Sequence, residues 1–168
     1  MIACNYYSGE PVTGLEEGRP MFLRRPDSHL GLANFMRSHL YASLVTLKIG
    51  LDILLKEEDV KIDSITGHGG LFKTKGVGQS ILAAAMNAPI SVMETAGEGG
   101  AWGMALLAAY MLSKKDGQSL GDYLDSRVFA ERKSETMEPD PADVAGFETY
   151  TKQYQACLAA EKVAVQAF

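Results

Sequence analysis

The stretch ITGHGGLFKTKG, Ile65 to Gly76, sets three glycines within four positions, a histidine between two of them, and a Lys-Thr pair three residues on. Glycine after a strand admits positive φ and lets the backbone come close to a ligand. A helix starting near Gly76 would direct its free N–H groups at the same mouth. Two phosphate-binding templates can be tested on these residues. A Walker loop reads G-x-x-x-x-G-K-[ST]. Gly67 to Thr74 supplies the first Gly and the Lys-Thr pair, but Phe72 stands where the second Gly must let the loop wrap the phosphates. The dinucleotide pattern G-x-G-x-x-G fails at the same Phe72, and a long helix rather than a first strand precedes the turn. A bare strand-to-helix turn with no ligand is the plain alternative. A second glycine turn, GEGGAWG from Gly97 to Gly103, changes the balance. Two adjacent stretches of bare backbone suit a flat ligand, a purine with its ribose, better than a phosphate chain.

The elements that must hold these turns follow from periodicity. Leu40, Leu44, Leu47, Leu51 and Leu54 recur at three- and four-residue spacing behind Phe35, which predicts a helix over 34–56. VKIDSIT alternates and predicts a short strand over 60–66 that runs into the first turn. A helix over 77–87 follows. PISVME predicts the next strand, and after the second turn a helix runs over 101–114. Strand, helix, strand, helix implies parallel strands with both glycine turns at their carboxyl ends, where open α/β sheets bind ligands. A further strand is expected near Met1 to Tyr7, within a loop-rich opening that extends to His29. GQSLGDYLDSRVF reads as a short helix and ERKSETMEPDPAD as a polar hinge. The last helix starts near Pro141 and carries Phe147, Tyr150, Tyr154, Cys157 and Leu158 at helical spacing, a packing stripe.

Composition bounds the function. The chain has 168 residues, 46% apolar and 22% charged, enough for one domain with a real core. A net charge of −5 argues against a nucleic-acid face. No apolar run is expected to reach the roughly 20 residues that span a bilayer. The start MIACNYYSGEP lacks the basic and apolar regions of a signal peptide. Cys4 and Cys157 are too few and too far apart for a disulfide framework, which fits a reducing cytoplasm.

Five blocks in order resemble the C-terminal domain of the FGGY carbohydrate kinases, the xylulokinase, ribulokinase and glycerol kinase family. NYYSGEPV is similar to the segment where an aromatic residue precedes G-E-R-x-P, with Gly9 and Glu10 matching and Pro11 in place of Arg. GLANFMRSHLYASLVTLKIGLDIL is similar to the family signature, through Gly31, Leu32, His39, Leu40 and Ser43, with Thr46 where many members carry Glu. ITGHGGLFKTKGVGQSILAAAMNAPI resembles the adenosine block, with the Leu71–Lys75 segment two or three residues longer than usual. EGGAWGMALLAA matches at Glu98, Ala101, Gly103 and Ala105, and FETYTKQYQACLA resembles the closing aromatic helix.

The resemblance implies an α/β fold of the actin-like ATPase (ribonuclease H-like) type, a parallel-strand βαβ core flanked by helices, with the N-terminal part of the lobe missing. It implies that residues 1–168 are the nucleotide-binding lobe of an enzyme using ATP and Mg²⁺. Such enzymes pass the γ-phosphate to a sugar or polyol hydroxyl, here a pentulose such as xylulose or ribulose. Gly69, Gly70 and Leu71 would lie at the adenosine, Gly67 would shape the turn, and Gly31 would sit near the phosphates. Thr74 or Lys75 would replace the family's Ser/Asn. The catalytic Asp, the first phosphate loop and most sugar contacts belong to an N-terminal kinase lobe, so no catalytic or metal-binding residue is expected in this chain, and the chain alone is expected to be inactive. The competing class is a non-catalytic module that kept the fold for binding or dimerisation, which Pro11 and Thr46 keep open.

Other residues carry smaller expectations. His68 is read as a hydrogen-bond donor inside its turn, Glu98 as a cap for the following helix, and Trp102 as packing. Lys73 is read as a surface lysine, with reach to a phosphate as the alternative. Glu10 either faces a cleft or anchors its own loop.

Overall fold

Ile2, Ala3 and Cys4 are all buried, and they pair antiparallel with Met21–Leu23, Ile2 opposite Leu23. In this computed structural model, which describes residues 1–62, 64–94, 96–130 and 134–167, the elements in chain order are as follows. The strands are β1 (Ile2–Cys4), β2 (Met21–Leu23), β3 (Ile65–Gly67), β4 (Ile90–Met93) and β5 (Ser134–Met137). The helices are α1 (Leu32–Lys56), α2 (Val77–Met86), α3 (Gly99–Ser113), α4 (Leu120–Tyr123) and α5 (Pro141–Ala167). The chain divides into two units.

The first unit comprises Met1–Asp63, Ile81–Ala88 and Pro139–Phe168. Its core is aromatic, as the closing stripe predicts. Tyr41 of α1 meets Phe147 and Tyr150 of α5 at ring distances of 4.8 and 5.2 Å. The Tyr154 hydroxyl donates to that of Tyr6, and the Tyr150 hydroxyl donates to the Ser38 carbonyl at 3.2 Å. The phenols of Tyr6, Tyr150 and Tyr154 thus have the partners that burial demands. The long opening loop is tied to α5 by the fully buried Glu161, whose carboxylate accepts the Arg19 N–H. Glu10 accepts the Val12 N–H at 3.3 Å and caps a short turn, Pro11–Thr13, so it anchors its own loop.

One expectation needs correction here. β2 lies inside the stretch read as irregular, because Arg19, Pro20 and Pro26 mask a three-residue strand. α1 is 25 residues long and holds an 18-residue stretch of mean hydropathy 1.3, so by length and composition it could cross a bilayer. Its Lys48, Asp52 and Lys56 pair with one another, and Tyr41, Leu44 and Val45 are buried in the first unit, so a core helix meets the same criteria.

The second unit comprises Ser64–Ser80 and Pro89–Glu138. β3 and β4 are parallel, Gly67 opposite Val92, as the strand–helix–strand pattern predicts. The first strand is shorter than expected: only Ile65–Gly67 forms a ladder, since residues 60–62 find no partner strand, and Asp63 lies outside the described residues. The polar hinge is corrected as well. Ser134–Met137 is β5, antiparallel to β4 from Ile90↔Met137 to Met93↔Ser134, with Ser91 and Thr136 hydroxyls 2.8 Å apart across the strands. Residues 131–133 of that stretch lie outside the described residues. Buried Gln79 of α2 ties the sheet: its amide donates to the carbonyls of Ile90 and Glu135, both at 2.8 Å.

Candidate functional site

The first glycine turn leaves β3 at Gly67 and folds at once into a single tight turn, Gly70–Phe72. Each glycine has its own reason. Gly67 is buried against the Phe72 ring, and a Cβ there would stand 2.3 Å from Phe72 Cζ. Phe72, which breaks both phosphate-loop templates, therefore closes the turn from beneath. Gly69 has φ 106° and ψ −173°, a region in which L side chains are strained. A Cβ on Gly69 or Gly70 would meet nothing within 4 Å. These two residues present bare backbone to open space, as a shelf for a flat ligand requires. Leu71 is turned inward: its carbonyl and side chain rest on Gly78 of α2, where a Cβ would come within 2.4 Å of the Leu71 oxygen.

Thr74 is exposed and lines a polar cleft of about 340 Å³ with Lys75, Gln79, Glu94 and Glu135. Lys75 is committed to Glu135 at 2.9 Å. The carboxylate raises the Lys75 ammonium above its ordinary pKa, through a hydrogen bond first and charge second. Of the two candidates for the nucleotide side, Lys75 is thus taken up by Glu135, and Thr74 offers a hydroxyl.

The second turn, at the carboxyl end of β4, lies against the first. A Cβ on Gly97 would stand 3.2 Å from Lys73 Cγ, and one on Gly99 would stand 3.2 Å from His68 Nδ1. Gly100 and Gly103, in contrast, face open space. Between the turns Lys73 Nζ meets Glu98 Oε1 at 2.7 Å. The Lys73 ammonium, by hydrogen bond and charge, holds the Glu98 carboxyl below the usual carboxylate range.

Three expectations change. Glu98 occupies the cap position of α3 but makes no capping hydrogen bond with its side chain, because Lys73 claims the carboxylate. His68 makes no hydrogen bond among the described residues, and its ring lies beside Gly99 instead of donating within its turn. Lys73 is exposed, as read, yet it is paired. Trp102 packs edge-on to Phe129 at 5.8 Å, beside an apolar groove of about 420 Å³ that His68, Gly99 and Gly103 also line. Gly31 belongs to the first unit. It precedes α1 with φ −121° and ψ 161°, extended backbone open to any residue, so local geometry alone does not require glycine there. Among the described residues no group of three or more His, Cys, Asp or Glu is placed to hold a metal ion.

The sequence missed the Lys73–Glu98 pair and Gln79. The first joins residues 25 apart whose charges read as solvated. The second carried a signal, a lone amide among the apolar residues of α2.

Known proteins give these features a family. The sequence profile described as FGGY family of carbohydrate kinases, C-terminal domain, matches residues 1–112. No curated protein sequence matches. Among solved structures, a ligand-bound xylulose kinase from Lactobacillus acidophilus is similar with a TM-score of 0.67 at 21% identity, over 95% of this chain and 31% of that one. A xylulose kinase from Rhodospirillum rubrum gives 0.64 at 20% identity, over 95% and 30%. A gluconate kinase from L. acidophilus gives 0.66 at 21% identity, over 95% and 30%. The chain thus spans about 30% of the length of these kinases. The likeness is one of fold, the actin-like ATPase (ribonuclease H-like) fold expected from the sequence. With the profile covering two thirds of its length, the chain belongs to the FGGY family of carbohydrate kinases, matching the C-terminal domain.

Proposed function

We propose that residues 1–168 form the C-terminal, nucleotide-binding lobe of an ATP-dependent carbohydrate kinase. The observation that carries this reading is the unobstructed backbone at Gly69 and Gly70, directly after a parallel strand. A purine nucleoside fits there because neither residue has a side chain and nothing stands within 4 Å of where one would be. ATP, bound with Mg²⁺, supplies the phosphoryl group. In this reading Gly69 and Gly70 receive the adenosine, Gly67 and Leu71 fix the turn from below, and the Thr74 hydroxyl offers a polar contact at the rim. Gly31 serves the phosphate end. The described residues of this chain do not fit a dedicated cation site, so no step is assigned to a metal held by this chain.

An N-terminal lobe supplies the catalytic Asp, the first phosphate loop and most sugar contacts, since phosphoryl transfer needs base, metal and both phosphate clamps together. The chain alone is then inactive. The acceptor is a sugar or polyol hydroxyl, in our reading that of a pentulose such as xylulose or ribulose. Two xylulose kinases among the similar structures support that choice. The same reading places the enzyme in the cytoplasm, where ATP is made and where free Cys4 and Cys157 stay reduced.

α3 supports the need for a partner. It is apolar throughout yet has no buried residue, and Met104, Met111 and Leu112 are 69, 76 and 91% exposed. The N-terminal lobe covers such a face in the kinase reading. A second copy covers it in the competing one, a non-catalytic dimerisation module.

The test joins this chain to its N-terminal lobe and measures ADP release with ATP and xylulose, ribulose, gluconate or glycerol. Turnover with a pentulose, and none from the chain alone, is the expected result. Turnover by the chain alone would contradict the lobe assignment. A complete protein that turns over no sugar would favour the module.

A further inference from the structure

The four glycines of the second turn and the start of α3 fall into two kinds. Gly100 and Gly103 face open space, whereas a side chain at Gly97 or Gly99 would press on the first turn. At 3.2 Å from Lys73 Cγ and from His68 Nδ1, an added Cβ at either position would be tighter than ordinary van der Waals contact. Glycine at 97 and 99 is therefore explained by the approach of the two turns, and a ligand is not needed to account for it. The Lys73–Glu98 pair bridges the same junction at 2.7 Å, with Lys73 immediately after the turn that carries Gly70.

The remaining parts of the first turn are held from below. Phe72 lies under Gly67, and Leu71 rests on Gly78. Gly69, in a backbone region open only to glycine and with nothing within 4 Å of where a Cβ would stand, has neither support. Its conformation is set by what holds the residues on either side, His68 and the Gly70–Lys73 turn. Both of those are touched by the second turn.

We propose that Lys73 and Glu98 are positioning residues. Their ion pair, seated on Gly97 beside the His68–Gly99 contact, clasps the two turns together and so holds Gly69 and Gly70 in the shape that receives a nucleotide. The proposal rests on the nucleotide reading given above for its ligand, but not for the clasp itself. Both side chains are exposed, so the pair is weak by itself and screened by salt. Its effect is on local geometry, and global stability is left nearly unchanged.

Two readouts on this chain separate the clasp from the nucleotide reading. The first is backbone hydrogen exchange at residues 69–73. Lys73→Met and Glu98→Gln each speed exchange there by roughly two- to fivefold at low salt, the range of an exposed pair. The double exchange Lys73→Glu with Glu98→Lys restores it, and the melting temperature is unmoved. High salt abolishes the difference between wild type and single variants. The second is titration with a fluorescent ADP analogue. Each single variant weakens binding by a similar factor, and the double exchange recovers it. Unchanged exchange in the single variants, or a double exchange no better than the sum of the singles, overturns the clasp. Altered exchange with no wild-type binding of the analogue leaves the clasp standing and contradicts the nucleotide reading.

Discussion

Gly67 and Gly70 lie three residues apart and are glycine for opposite reasons. Gly67 yields its space to the Phe72 ring, so Gly67→Val overpacks a filled site and costs about 1–3 kcal/mol in urea unfolding. Gly70 faces open space. Gly70→Ala leaves stability within about 0.5 kcal/mol while weakening nucleotide binding, because the methyl group occupies the shelf itself. A loss of stability at Gly70 as large as at Gly67 would contradict that division. The sequence made both glycines visible but could not tell them apart, since the ring that fills one of them is defined only by the fold. Phe72 shows the same limit: as a motif residue it only excluded phosphate loops, and in the structure it is the floor of the turn. Cys4 gives a chemical test at this scale. Burial first, then the Glu161 charge, pushes its thiol up to about 12, while Cys157 is half-buried. Iodoacetamide at pH 8 should label Cys157 well before Cys4, read by mass spectrometry, since only the thiolate reacts.

At the scale of elements, the aromatic stripe of α5 was legible from its period, and what it packs on was not. Phe147 is fully buried against Tyr41, so Phe147→Ala costs about 3–5 kcal/mol by chemical denaturation. The same core sets an alkaline limit. In the unfolded chain a thiol ionises near 9.0, but folded Cys4 holds its proton to about 12. Burial likewise raises Tyr6, Tyr150 and Tyr154 above their ordinary 10.0. A raised value means that stability is complete below pH 9 and falls as pH rises toward 12. Melting temperatures followed from pH 8 to 11 should drop steadily above 9, and a flat profile would contradict the burial argument. In the second unit, β5 hid behind its charges: SETM has too little apolar alternation to read as a strand, and it exists because β4 offers an edge and Gln79 ties it down. Gln79→Leu removes the donor to the carbonyls of Ile90 and Glu135. It should cost about 1–3 kcal/mol, with exchange rising first in β5.

For the whole molecule, the order of strand, helix, strand and helix sufficed to predict parallel β3 and β4 with both turns at one edge. That order is written in local patterns. The pairing between turns is not, because it depends on contacts between residues far apart in sequence, such as Lys73 with Glu98. In the proposed function a nucleotide rests on Gly69 and Gly70. Titration of the isotopically labelled chain with ADP, followed by amide chemical shifts, tests it most directly. Saturable shifts are expected, centred on Gly69, Gly70 and Leu71 and extending to Thr74 and Gly100, and they are lost in Gly70→Val with the fold intact. Saturable shifts centred elsewhere in the chain, or none at millimolar ADP, would contradict it.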